Sequence, residues 1–91
     1  MEPSEILAAL LDVAREAGLR VRAVSRRGLE AGESVPASGV VRLKGEIWIL
    51  LSDTDPVAIQ LEVLAGAVRS HAADFVSGRY LPPAVRGLLE D

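Results

Sequence analysis

A histidine with neighbouring serine and aspartate side chains is the first candidate for chemistry in this chain. His71 is the only histidine, Ser70 precedes it, and Asp74 follows three residues later. Residues three apart on a helix lie on the same side, so Asp74 could orient the imidazole as a general base. Ser70 is adjacent to His71 and does not face it, which disfavours a nucleophile–base pair. We favour the interpretation that His71 lies at a helix end, where its charge suits the helix dipole.

Two carboxylates, Asp53 and Asp55, flank Thr54 directly after an apolar run. Carboxylate oxygens can hold Mg²⁺, but the same residue types also begin helices by accepting a hydrogen bond from a free N–H. We favour capping by Asp55, with Pro56 in the first helical position. The sequence has neither an EF-hand spacing nor a Gly-rich phosphate loop, and it has no cysteine, so thiolate sites are excluded. No metal and no cofactor are predicted.

Basic residues are concentrated between positions 20 and 44. This stretch holds six bases and two acids, a net charge of +4, which leaves −7 for the remainder of a chain whose net charge is −3. Five arginines could form a strip on an exposed sheet face and bind an anionic ligand; they are Arg20, Arg22, Arg26, Arg27 and Arg42. No aromatic residue is interleaved with them, which argues against nucleic acid. The alternative is a solvated face that balances the acidic remainder, for example across a subunit contact.

The elements of the first half follow from the spacing of apolar residues. Between positions 6 and 17 they recur every three or four residues, which predicts an amphipathic helix capped by Ser4 and ended by Gly18. Alternation of apolar and basic residues over 19–24 predicts a half-buried strand. Glycine, proline and small residues over 26–39 predict a long loop, either functional or poorly ordered.

The second half is predicted to supply a hairpin. Residues 40–43 and 46–51 are apolar and of strand length, and Lys44-Gly45 between them predicts a two-residue antiparallel turn. The run Ile47 to Leu51 is unbroken, which predicts a buried strand.

Two further helices are predicted after the hairpin. The stretch from Val57 to about Ala73 is so apolar that we expect a helix buried on most of its circumference. Gly66 in its middle indicates close approach of a strand or of another helix, because glycine weakens a helix interior. Residues 74–80 predict a connection, and Pro83 can begin a short last helix over 84–90.

These elements predict a single α+β domain over residues 1–91, in the order α-β-β-β-α-α. We expect a three-stranded, mostly antiparallel sheet with helices on one side, a long buried helix and a short C-terminal helix. No apolar run reaches about 18 residues, so no membrane span is predicted. The acidic N-terminus is not typical of a signal peptide, so the expected compartment is the cytoplasm of a bacterium or archaeon.

The second half of the chain resembles a family of small uncharacterised bacterial proteins. The shared pattern is a V-R-L-x-G hairpin at Val41–Gly45, a Q-x-x-x-L-A helix that contains Gln60 and Leu64, and a P-P-x-V-R tail at Pro82–Arg86. This resemblance implies a common fold and no particular activity.

The order of elements also resembles the core of the bacterial IrrE-like zinc metallopeptidases. The shared order is a helix, a G-L-x-V strand, a glycine loop, a hairpin and a long helix. In that family the long helix carries H-E-x-x-H, which binds zinc and supplies the general base. With Leu64-Ala65 aligned to the pair before that motif, the zinc and base positions are Gly66, Ala67 and Ser70. None of these can serve, so the resemblance implies a scaffold without the peptidase chemistry.

The functional expectation is a non-catalytic protein-interaction or self-association module. The partner would be a second copy of the chain, as a homodimer, or another protein, because so small a domain has too few elements to cover its apolar helix. The alternatives are binding of an anionic ligand or nucleic acid by the arginines, and a degenerate zinc-peptidase-like domain.

Overall fold

The structure, a computed structural model, describes residues 1–25 and 37–90. It confirms the α+β class, with four helices and a three-stranded sheet in the described part. In chain order the elements are α1 (Pro3–Glu16), β1 (Arg20–Val24), β2 (Gly39–Leu43), β3 (Glu46–Ser52), α2 (Val57–His71), α3 (Ala73–Ser77) and α4 (Pro83–Leu89). No helix in these two ranges is both long and apolar enough to cross a bilayer.

Helix α1 ends as predicted but begins differently. Its N-cap is Glu2 and not Ser4, and the Glu2 N–H donates to the carboxylate of Glu5 at 2.9 Å. At the other end Gly18 has a φ of +89°, the left-handed conformation that glycine adopts without strain. The N–H of Leu19 then donates to the carbonyl of Ala14 at 2.9 Å, which closes a Schellman cap and buries Leu19.

The sheet is mixed and not mostly antiparallel. Its strand order is β1-β3-β2, with β1 parallel to β3 and β2 antiparallel to β3. The hairpin is confirmed: Lys44 and Gly45 both have positive φ, +52° and +80°, as a two-residue turn of this twist requires. Successive strands do run in opposite directions, but the apolar strand β3 takes the central position. The outer strand β1 therefore becomes its parallel neighbour.

The core lies between the helices and one face of the sheet. Helix α1 packs on β1 and on α2, and α2 packs on β3. The largest fully buried apolar side chains come from α1, β3, α2 and α4; they are Leu10, Ile49, Leu64, Val68 and Val85. The arrangement confirms the prediction that helices cover one side of the sheet.

Helix α2 is less buried than its composition predicts. Its buried residues all lie in the C-terminal half; they are Leu64, Ala65, Ala67 and Val68. Val57 and Ile59 in the first turns are exposed, so the prediction of burial around most of the helix is wrong there. The physical reason is the size of the domain, because its few elements leave the side chains of Val57 and Ile59 uncovered.

Two local predictions in the C-terminal region also need correction. Residues Ala73–Ser77 form the short helix α3 in place of a plain connection, since Val76 is drawn into the core. Gly66 has no close neighbour: a Cβ there would lie 3.8 Å from Nη2 of Arg69 and meet nothing closer. The glycine therefore leaves open space beside α2.

Candidate functional site: an uncovered sheet face and its free edge

The sheet face turned away from the helices carries apolar side chains that no described helix covers. Because side chains alternate along a strand, Trp48 and Leu50 point away from the core residues Ile49 and Leu51. The paired positions on the neighbouring strands lie on the same face. We call this surface the outer face; its residues are Arg20, Arg22, Val41, Leu43, Glu46, Trp48 and Leu50. Strand β3, which the apolar run predicts to be buried, is therefore buried on the face of Ile49 and Leu51 and only partly buried on the face of Trp48 and Leu50.

The outer face holds two of the five arginines that are candidates for anion binding. Arg20 is already engaged, since its Nε lies 2.7 Å from Oε2 of Glu46 and its guanidinium lies 5.4 Å from the centre of the Trp48 ring. Arg22 lies on the same face, two residues further along β1.

The remaining three arginines do not join that pair within the described residues. Arg42 pairs with Ile47 and so belongs to the face that the helices cover, on the opposite edge of the sheet. Arg26 and Arg27 lie outside the described residues, as does most of the predicted 26–39 loop. Arg42 therefore does not share one strip with Arg20 and Arg22, contrary to the sequence expectation, while anion binding itself stays a prediction.

Strand β2 is an edge of the sheet that no other described strand pairs with, and it carries apolar side chains; we call it the free edge. Val40 and Val41 are each 42% exposed and Leu43 is 56% exposed. The residues that flank a two-residue hairpin turn exchange both of their backbone hydrogen bonds, and such pairs alternate along the ladder. Leu43 flanks this turn, so Leu43 and Val41 point their N–H and C=O groups toward β3. Val40 and Arg42 point theirs outward, without a strand partner among the described residues.

A groove of about 370 Å³ lies between β2 and α2 on the helix-covered side of the sheet. Its lining is mostly apolar with a few polar groups: Gly39, Val40, Glu62, Val63, Gly66, Ala67, Ser70 and His71. It includes the positions that correspond to the zinc and base residues in the metallopeptidase resemblance. No cluster of three or more His, Cys, Asp or Glu residues that could hold a metal occurs in the described ranges.

The candidate pair of His71 and Asp74, which the sequence disfavours, is not assembled, and His71 lies in the last turn of α2 as expected. Helix α2 ends at His71, and Asp74 belongs to the separate helix α3. No hydrogen bond joins their side chains in the described part of the chain. Asp53 and Asp55 precede α2, whose 15 residues put His71 about 20 Å away at the other end. These groups therefore do not converge on one centre.

Asp55 does not cap α2, contrary to the sequence prediction. The N-cap is Pro56, and Oδ2 of Asp55 accepts a hydrogen bond from the N–H of Ser38 at 2.9 Å. The N–H of Ser52 donates in turn to the Ser38 hydroxyl at 2.8 Å. Asp55 thus ties the start of β2 to the turn that follows β3, and this contact helps to position the free edge.

The hydrogen bond from the Ser38 N–H to the Asp55 carboxylate predicts that the stability of the fold depends on pH. Hydrogen bonds from the backbone N–H and then the hydroxyl of Ser38 lower the pKa of Asp55 below its ordinary 3.8, because both stabilise the ionised carboxylate. A carboxyl with a lowered folded-state pKa contributes stability above its unfolded pKa and loses it as pH falls through the folded value. We expect the Asp55→Asn variant to be less stable than the wild type at neutral pH, and the difference to shrink below about pH 4.

Urea unfolding of both proteins over a series of pH values measures this difference. Asp53→Asn is the matched control, because Asp53 is an exposed carboxylate in the same turn. If the wild type and the Asp55→Asn variant differed in free energy of unfolding by the same amount from neutral to acidic pH, the charge of the Asp55 carboxylate would have no part in its contact with Ser38.

The sequence predicts arginines on an exposed sheet face, but it does not single out the apolar residues of the outer face. The apolar run predicts a buried strand around Trp48, and the Lys44-Gly45 turn predicts only that Val41 and Leu43 belong to a hairpin. The signal that could have found them is the period of two, which places Trp48 and Leu50 on the face opposite Ile49 and Leu51 whichever side is covered. The period of two divides the side chains between two faces, but it does not predict which face the helices cover.

No protein-family model, curated protein or solved structure matches this chain significantly.

Proposed function

We propose that this chain is a non-catalytic self-association module that forms a homodimer by adding β2 of one copy, antiparallel, to β2 of another. The observation that carries the proposal is the β2 edge, where exposed valine and leucine side chains accompany outward-pointing backbone groups. Such an edge is a ready template for another strand, and natural monomers usually blunt it with charges, prolines or a covering element. Identical chains most often associate as two-fold dimers, and a dimer of this kind would cover the β2 edge of both copies.

The other edge of the sheet is a poorer template. Strand β1 places Arg20 and Arg22 on the outer face, so self-pairing there would bring like charges together. On β2 only Arg42 is charged, and it lies on the other face. The contrast between the two edges favours β2.

Dimerisation through β2 would also extend the outer face. Each copy has a cross-strand row of Arg20, Trp48 and Val41. Joining two β2 strands places these rows end to end and buries the exposed valines at the centre of a continuous sheet. Hydrophobic burial at the centre with charged residues at the rim is the usual anatomy of an interface. The proposal places the dimer in the bacterial cytoplasm, where a cysteine-free chain needs no disulfides.

Sedimentation velocity or light scattering tests the proposal directly. We expect a mass twice that of the 9.6 kDa chain at micromolar concentrations, with dissociation on dilution. A single-chain mass at every concentration up to the solubility limit would overturn the proposal.

A further inference from the structure

The backbone groups of β2 allow only a few two-fold registers. Antiparallel strands bond through residues whose N–H and C=O groups face the partner, which on β2 are Val40 and Arg42. One register bonds Arg42 to Arg42 of the second copy, and like charges directly opposite each other are destabilising. Another bonds Val40 to Val40 and moves the pairing off the end of β2. The register that bonds Val40 to Arg42 of the second copy uses the whole strand and avoids the repulsion.

The outer face fits the same register. It places Val41 opposite Val41 on the two-fold axis, and Leu43 opposite Gly39 of the second copy. Leu43 is the most exposed apolar side chain of β2, and a Cβ added at Gly39 would meet nothing within 4 Å. Leu43 therefore has room above Gly39 of the second copy, beside Leu50 of that copy, where its exposed surface can be buried.

On the helix-covered face, this register brings Arg42 of one copy beside Val40 of the other. Val40 lines the groove between β2 and α2 together with Glu62. Directly opposed residues have Cβ atoms about 5 Å apart, so the long arginine side chain reaches past Val40 into the groove. Both Arg42 and Glu62 are exposed, and neither has an ion-pair partner among the described residues.

We infer that the groove between β2 and α2 is the receptor for Arg42 of a second copy, with Glu62 as its counter-ion, so that two identical Arg42–Glu62 pairs fix the register of the dimer. This inference rests on the proposed self-association through β2. It names the partner as the same chain and assigns specificity to a pair of opposite charges, which steer association and disfavour wrong partners. Ser70 and His71 also line the same groove.

Exchanging the two charges tests whether Arg42 of one copy pairs with Glu62 of the other. Arg42→Glu and Glu62→Arg should each weaken homodimerisation at least about tenfold, because each places like charges together at both contacts. Mixing the two variants should restore a heterodimer to within about threefold of wild-type affinity, since both contacts are then oppositely charged. Sedimentation equilibrium or native mass spectrometry of the mixture distinguishes the heterodimer from the two homodimers.

The mixture separates contacts between copies from contacts within a copy. An Arg42–Glu62 interaction inside one chain would not be repaired by mixing, because each chain would keep its own like-charged pair. A mixture that stays as weak as the single variants, beside a wild-type protein that dimerises, overturns this inference and leaves the self-association proposal standing. A wild-type protein that never dimerises overturns both.

Discussion

Val41→Glu is expected to weaken the dimer at least about 100-fold, which corresponds to about 2.7 kcal/mol. In the proposed register Val41 lies opposite Val41 of the second copy, on the two-fold axis. The two form a non-hydrogen-bonded pair, in which the Cα atoms of the strands come closest, so the substitution brings two carboxylates together. Like charges at an interface cost several kcal/mol, and the apolar contact between the valines is lost as well. Dilution series in sedimentation velocity give the two dissociation constants.

The fold of the Val41→Glu variant should be retained, because Val41 is 42% exposed and points away from the core. Val57→Glu is the matched control, since it changes a partly exposed valine to the same charged residue at the start of α2. We expect Val57→Glu to dimerise as the wild type does. Equal weakening by both variants would move the interface away from β2.

The same position offers a covalent readout, since the chain has no cysteine. Opposed residues in a non-hydrogen-bonded antiparallel pair have Cα atoms about 4.5 Å apart, within the range that a disulfide spans. Val41→Cys should therefore form a disulfide-linked dimer under mild oxidation. Leu43→Cys is the control, because its counterpart in the second copy lies about 13 Å away along the strands. Cross-linking of both variants with equal speed would contradict the register.

Leu64→Ala is expected to lower the free energy of unfolding by about 2–5 kcal/mol. Leu64 is fully buried, and it lies in the half of α2 that packs against the sheet and the neighbouring helices. The loss combines the apolar transfer energy of the removed atoms with the cavity that remains. A small domain has a total stability of about 5–15 kcal/mol, so this single change removes a large share of it.

Urea unfolding measures the Leu64→Ala effect, and it should be carried out in the Val41→Glu background. Dimerisation would otherwise add a concentration-dependent term to the stability of each protein. Ile59→Ala is the control on the same helix, because Ile59 is 41% exposed; its cost should stay below about 1 kcal/mol. A small effect at both positions would mean that α2 is not packed into the core as described.

The sequence by itself determined the features that depend on a few neighbouring residues. Gly18 ends α1 because only a residue that tolerates positive φ completes that cap, and this requirement is visible in the G-L pair. Lys44-Gly45 fixes the hairpin for the same reason. The α+β class followed from the periods of the apolar residues. In the cap and in the turn the relevant hydrogen bonds close within about six residues, so the local sequence contains both partners.

Only the tertiary structure decided which distant groups meet. The carboxylate of Asp55 could cap the helix next to it or bond a residue 17 positions away, and it accepts a hydrogen bond from Ser38, just before β2. The alternation in β3 was readable, but whether Trp48 or Ile49 would face the helices depended on how α1 and α2 pack. The five arginines looked like one set in sequence, yet pairing puts Arg20 and Arg42 on opposite edges and opposite faces of the sheet. Strand order and helix coverage are set by the total apolar surface that the chain can bury, and that sum is a property of the whole fold.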